Sequence, residues 1–211
     1  MPTGGALVVR SRPRWDAHLG RQHHVVAFGG PLENLTDDSL AGSDVCATGY
    51  ALAQVLKSES PDLVLLGQQS DDGECYTIGA VVAEHLGMPS LTQVIKMDVE
   101  SDALRCERQA EYGYDTVQVK LPAVISVGDA INEPRYPSLK AIMGAKKKPL
   151  DSITAADAEI DPGKVGGENS AAQWVAAKAP PAKAAGEIIE DEDTGETVEK
   201  IIAWLDERKL I

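Results

Sequence analysis

The chain has 211 residues and a net charge of −13. That length holds one domain with appendages or two small domains, and the acidic balance excludes nucleic acid or an anionic membrane surface as the main binding partner. No apolar run reaches the length of a membrane span, so the chain does not read as a membrane protein.

Residues 1–36 differ in texture from the rest. They carry Arg10, Arg12, Arg14 and Arg21, the histidines His18, His23 and His24, and as acids only Asp16 and Glu33. Leu7–Val9 and His24–Phe28 read as short strands, and the stretch between them lacks a helical face. The histidine pair reads as a solvated loop rather than a metal site. No continuous apolar stretch marks a secretory signal, and Pro2, Pro13 and the glycines oppose the amphipathic helix of a mitochondrial presequence. The segment is expected to be poorly ordered.

Residues 43–57 read as a helix. Ser43 or Asp44 can cap its first turn, and Val45, Leu52, Val55 and Leu56 form an apolar stripe. Leu63–Leu66 is apolar without alternation, as in a strand buried on both faces. Gly67 ends it, and a polar, acidic loop runs from Gln68 to Cys75. From Thr77 the spacing turns helical, with Ile78, Val81, Val82 and Leu86 on one face. A loop at the carboxyl end of a parallel strand, leading into a helix, is where α/β proteins bind ligands. The helix start offers unpaired N–H groups and a positive dipole end, which suit a phosphate. With Asp71, Asp72 and Glu74 in the loop, backbone N–H groups must do the binding, side chains turning to hydroxyls or solvent.

Val94–Val99, Leu104–Arg108 and Thr116–Lys120 read as a small antiparallel ribbon with tight turns between them. Ala123–Val127 returns as a buried strand. Pro134 and Pro137 fix an extended entry to a short helix from Leu139 to about Ala145, capped by Ser138 and followed by Lys146, Lys147 and Lys148. This segment reads either as a solvated helix end or as a docking loop with Leu139 as an exposed anchor. Residues 151–211 read as an arm, because 161–186 lack a core-forming period and Pro180-Pro181 breaks regular structure. Val198, Ile201, Ile202 and Leu205 mark one face of a terminal helix, lying either on another subunit or on its own domain. The expected division is an atypical segment 1–36, an α/β nucleotide-binding domain 37–150 and the arm 151–211.

No Walker A, GxGxxG, GxSxG or metal-ligand spacing is present. His85, about two turns into its helix, reads as packed or solvated. Cys46, Cys75 and Cys106 lack CxxC spacing and read as reduced thiols in a cytoplasmic protein. The residues alone therefore describe a soluble α/β nucleotide-binding module, part of an assembly, without naming a reaction.

Three stretches carry a resemblance. DLVLLGQQSDDGECYTIG (residues 62–79) resembles the nucleotide loop of the electron transfer flavoprotein β-subunit family, TVQVKLPAVISV (116–127) resembles its signature strand, and NEPRYPSLKAIMGAKKK (132–148) resembles its NEPRYxxLxxIMxAKKK segment. The resemblance covers roughly residues 37–211. It implies a Rossmann-like parallel sheet of the adenine nucleotide alpha hydrolase type, with an appended antiparallel ribbon and an extended C-terminal arm that contacts an α subunit. It also implies a heterodimeric carrier whose FAD, shared with the α subunit, takes electrons from flavin dehydrogenases, commonly acyl-CoA dehydrogenases. A quinone oxidoreductase or another acceptor receives them. Such a chain has no bond-making catalytic residue of its own. The β subunit would hold AMP or a second FAD, wrapped by Gly67, Gln68, Gln69, Ser70, Asp71, Asp72, Gly73, Glu74, Cys75, Tyr76, Thr77 and Ile78. Partner docking would fall on Tyr136, Pro137, Ser138, Leu139, Ile142, Met143, Lys146, Lys147 and Lys148.

Two departures from the pattern matter. Tyr76, Thr77 and Ile78 stand where many AMP-binding members have Asn, Gln and Thr, and Gly73 stands where they have Asp, so backbone contacts are expected to outlast side-chain ones. Residues 1–36 do not match the family's usual opening strand, helix and strand. The expectation is a truncated or mis-started β subunit, with an open sheet edge and half a nucleotide site. Other readings are a redox-inactive scaffold that binds the α subunit or dehydrogenase without nucleotide, and a nucleotide-hydrolysing enzyme of related fold.

Overall fold

The computed structural model describes residues 6–10, 23–27, 32–69, 74–145, 147–173, 175–176, 178–182, 186, 188 and 194–211, with backbone alone at 6–10, 23–27 and 32–33. The chain divides into two compact units, Met1–Trp174 and Val175–Ile211.

The first unit is built on one nine-stranded sheet. In chain order its strands are β1 (Ala6–Arg10), β2 (His23–Ala27), β3 (Leu32–Thr36), β4 (Leu63–Gly67), β5 (Ser90–Val99), β6 (Ala103–Ala110), β7 (Gly113–Lys120), β8 (Ala123–Val127) and β9 (Leu150–Ile153). Across the sheet they lie β7-β6-β5-β8-β4-β1-β2-β3-β9. β4 sits near the middle, parallel to β8 on one side and to β1 on the other. The expected ribbon is β5, β6 and β7, paired antiparallel.

β4 shows why its sequence does not alternate. Leu63 and Leu65 face one core with Ala123 and Ile125 of β8 and Leu104 and Cys106 of β6. Val64 and Leu66 face the other with Val124. A strand buried on both faces has no use for polar residues. The second core is closed by α1 (Val45–Glu59) and α2 (Ile78–Leu86), through Leu52, Val55, Leu56, Val82 and Ala83. The two helices meet closely at Gly49, where a Cβ would lie 2.5 Å from Cγ1 of Val81. Only glycine fits that crossing without displacing α2.

The N-terminal expectation needs correcting. The edge of β4 is not open: Ala6, Leu7, Val8 and Val9 pair with Leu63, Val64, Leu65 and Leu66 in parallel register. β1 supplies the backbone partners that a central strand requires. β2 and β3 then continue the sheet antiparallel, so this half is mixed rather than purely parallel. The remainder of 1–36, with His18, Arg12, Arg14 and Arg21, lies outside the described residues.

Residues 151–173, assigned to the arm on composition, pack on this unit. β9 pairs with β3, and Ala155, Ile160 and Val165 are buried against α1. Polar groups fasten the rest of this strap. The Ala155 N–H donates to Asp37 Oδ2 at 3.0 Å, the Asp161 N–H to the Tyr50 hydroxyl at 3.2 Å, and the Gly167 N–H to the Ala41 carbonyl at 3.0 Å. Gly166 has φ +83°, and a Cβ there would meet the Ser39 carbonyl oxygen at 2.8 Å, so the strap can approach this loop only through glycine. In the second unit, α4 (Thr194–Glu207) presents Val198, Ile201, Ile202 and Trp204 as exposed apolar residues. Among the described residues no helix is long and apolar enough to cross a membrane.

Candidate functional site

β3 and β4 run in the same direction, so α1 and α2 begin at the same edge of the sheet. The two helix starts are satisfied differently. At α1, Asp44 accepts from the Ala47 N–H at 2.9 Å through Oδ1 and from the Ala172 N–H at 3.0 Å through Oδ2. Its own N–H donates to Ser170 Oγ at 2.9 Å. Burial works to raise this carboxyl, but the N–H groups of Ala47, Ala172, Ala171 and Cys46 outweigh it and hold Asp44 below the usual carboxylate range. At α2 the cap position is Thr77, in helical rather than extended conformation, and its side chain makes no capping bond. The first-turn N–H groups of an α-helix have no partner within the helix. At α1 the Asp44 side chain meets one of them; at α2 the Thr77 side chain meets none.

The strand under the α2 start adds a second feature. Ser126 of β8 lies opposite Leu66, one pair before the end of β4. It is 2% exposed, and its Oγ has no hydrogen-bond partner. Its side chain faces α2: a Cβ added at Gly79 in the first helical turn would sit 3.5 Å from the Ser126 Cβ. Leaving a buried hydroxyl unmatched costs about 1–3 kcal/mol. Sequence reading passed over it, although Ser126 is the one polar residue in the run Ala123–Val127, which was itself the available signal.

The loop between β4 and α2 is placed as expected, at the carboxyl end of β4. Gly67 and Gln69 are exposed, and Gln68 is half-buried with Oε1 against Gly128, 3.1 Å from where a Cβ there would stand. Glu74 has φ +45°. Glu74, Cys75, Tyr76 and Thr77 are exposed, and Ile78 is half-buried at the start of α2. Ser70, Asp71, Asp72 and Gly73 lie outside the described residues. His85 is exposed, edge-on to Tyr50 with ring centres 5.5 Å apart, so it lies with the packing around the strap. Among the described residues no group of three His, Cys, Asp or Glu side chains could hold a metal.

The second candidate region is α3 (Leu139–Ala145), which buries none of its residues. Ser138 caps it, its Oγ accepting from the Ala141 N–H at 3.2 Å. Tyr136, Leu139, Ile142 and Met143 are exposed large apolar side chains, Tyr136 fully so and Leu139 at 73%. Pro137, Ser138, Lys147 and Lys148 are also exposed, and Lys146 lies outside the described residues. A short helix with all its apolar residues in solvent gains nothing from its own fold.

Comparison with known proteins shows the family of the chain. A family profile described as "Electron transfer flavoprotein domain" matches residues 33–158. A protein of Mycobacterium bovis named electron transfer flavoprotein subunit beta is 42% identical over 179 residues, covering 84% of this chain and 66% of the relative. A Thermoanaerobacterium thermosaccharolyticum protein of the same name is 34% identical over 209 residues, covering 99% of this chain and 80% of the relative. A third, from Clostridium acetobutylicum, is 33% identical over 177 residues, covering 84% of this chain and 68% of the relative. The chain thus spans slightly under two thirds of the length of the mycobacterial relative. Strands β4–β9, the loop at the end of β4 and α3 fall within the residues the profile matches, 33–158, and the chain belongs to the electron transfer flavoprotein β-subunit family.

Proposed function

We propose that this chain is the β half of a two-subunit electron carrier, holding an adenine nucleotide at the start of α2. The observation that supports the nucleotide is the start of α2 after the loop at the carboxyl end of β4, where the Thr77 side chain makes no capping bond. The first-turn N–H groups of such a helix suit a phosphate. AMP, or the AMP half of a second FAD, carries that phosphate, with Gly67–Gln69 and Glu74–Ile78 as the enclosing loop.

The redox group is an FAD shared with an α subunit, which supplies one- and two-electron transfer. This chain's own part is to bind, orient and dock. Exposed Tyr136, Leu139, Ile142 and Met143, flanked by Lys147 and Lys148, suit an apolar pocket with an acidic rim on a flavin dehydrogenase. The apolar face of α4 suits the α subunit. Electrons pass from acyl-CoA-type dehydrogenases to a quinone oxidoreductase or a similar acceptor, and the carrier works in the cytoplasm.

The test is to co-express the chain with a candidate α subunit, purify the complex and record its visible spectrum and extractable nucleotides. A stable complex with a bound-flavin band and one AMP or a second FAD per heterodimer is expected. A stable but colourless complex without nucleotide would overturn the carrier in favour of a scaffold.

A further inference from the structure

We propose that Met143 is a redox-sensitive modification site on α3: a peroxide converts its thioether to the sulfoxide, which blocks docking of a flavin dehydrogenase, and reduction of the sulfoxide restores it. The inference rests on the docking reading above and adds to it a means of regulation.

Its exposure sets Met143 apart. It is 61% exposed, on a helix that buries none of its residues. A Cβ at the adjacent Gly144 would meet nothing within 4 Å, so this stretch of α3 stands open to a dissolved oxidant. The other described methionines are packed, Met88 against the core closed by α1 and α2, and Met97 against the core that holds Leu104 and Cys106. Oxidation is therefore directed to the docking helix and spares the fold. Met143 also stands four residues after Leu139, and residues so spaced share a helix face. Any pocket that takes Leu139 meets the Met143 sulfur as well.

The chemistry is a transfer of one oxygen atom. The sulfur attacks hydrogen peroxide, an S–O bond forms, the O–O bond breaks and water leaves. Sulfur loses two electrons and the peroxide gains them. The product is polar where the thioether was apolar, and an apolar pocket offers the new oxygen no partner. A methionine sulfoxide reductase reverses the step, two thiols becoming a disulfide while the oxygen leaves as water.

The experiment treats the full chain with dilute hydrogen peroxide and removes the peroxide. It then measures affinity for an immobilised acyl-CoA dehydrogenase, with sulfoxides mapped by peptide mass spectrometry. Met143 should convert well before Met88 and Met97, and affinity should fall about tenfold or more. The melting temperature should stay where it was. Cys46 and Cys75 are exposed too, so the treated chain is split between dithiothreitol alone and dithiothreitol with methionine sulfoxide reductase. Thiol reductant alone reverses disulfides and sulfenic acids and should not restore binding; the reductase should. Met143→Leu, whatever its own affinity, should lose none of it on treatment. Resistance of Met143 to the peroxide would overturn the inference and leave the docking reading intact. So would unchanged affinity after its conversion, or an equal loss in Met143→Leu. An untreated parent chain that does not bind the dehydrogenase would overturn both.

Discussion

Two helices start at the same edge of this sheet, and their first turns were put to different uses. α1 begins on Asp44, whose carboxylate meets its own first turn and also holds the Ala172 N–H of the strap. α2 begins on Thr77 without a side-chain cap, over a hydroxyl that has no partner. A helix start closed by protein groups is part of the fold. One whose cap side chain makes no bond leaves first-turn N–H groups that suit an anion. Helix termini that look equivalent in topology are therefore told apart by asking where each N–H group finds its acceptor.

The comparison can be broken from the structural side first. Leu52 of α1 is fully buried, and Leu52→Ala should cost about 2–5 kcal/mol. Denaturant unfolding reads that loss, and an unchanged midpoint would mean that α1 does not carry the core. Next in size is Asp44→Ala, which removes the cap at a cost of about 0.5–2 kcal/mol and frees the end of the strap. Hydrogen exchange should rise at residues 166–173 while AMP affinity stays the same. A loss of AMP binding there would show that the two helix starts are coupled.

The sharpest variant makes α2 resemble α1. Thr77→Asp places a carboxylate at the open start and should stabilise the helix by about 0.3–1 kcal/mol. It should also suppress AMP binding, because the carboxylate competes with the phosphate for the same N–H groups. Thermal melts and calorimetry should move in opposite directions, and tight AMP binding by this variant would remove α2 as the phosphate site. The smallest effect is with pH. Asp44 is held below its ordinary carboxylate value, so its stabilisation is complete above the unfolded carboxylate range. It is lost as the pH falls through the lowered folded value, below about pH 4. Asp44→Asn should flatten that acid limb in melts recorded between neutral and acidic pH.

Much of this was legible because the signals are local. Leu63–Leu66 and Ala123–Val127 are apolar without alternation, and both prove to be central strands buried on two faces. Ser138 and Leu139–Ala145 announced a capped short helix, and the cap and the helix are found there. The loop at Gly67–Ile78 was found through the change from a strand run to a helical period. The strap was not legible. Ala155, Ile160 and Val165 are five residues apart and follow no helix or strand period, and they are buried in one core cluster with residues of α1, α2 and the sheet. Ser126 was missed for a related reason: a serine inside an apolar run acquires meaning only when its neighbours are seen to leave it unpaired.

Local sequence thus sufficed for elements whose side-chain pattern follows their own backbone period: α1, β4, α2, the β5–β7 ribbon, β8 and α3. It also carried the family, through loops whose residue order persists without reference to packing. The assembled sheet alone decided the rest: that β1 closes the edge of β4, that residues 151–173 belong to the α/β unit, and that Asp44 at the start of α1 also holds the strap. These depend on contacts between residues far apart in the chain, such as Val9 with Leu66 and Asp44 with Ala172. No local periodicity encodes such pairs, because each is settled by where the backbone groups of the other can be satisfied.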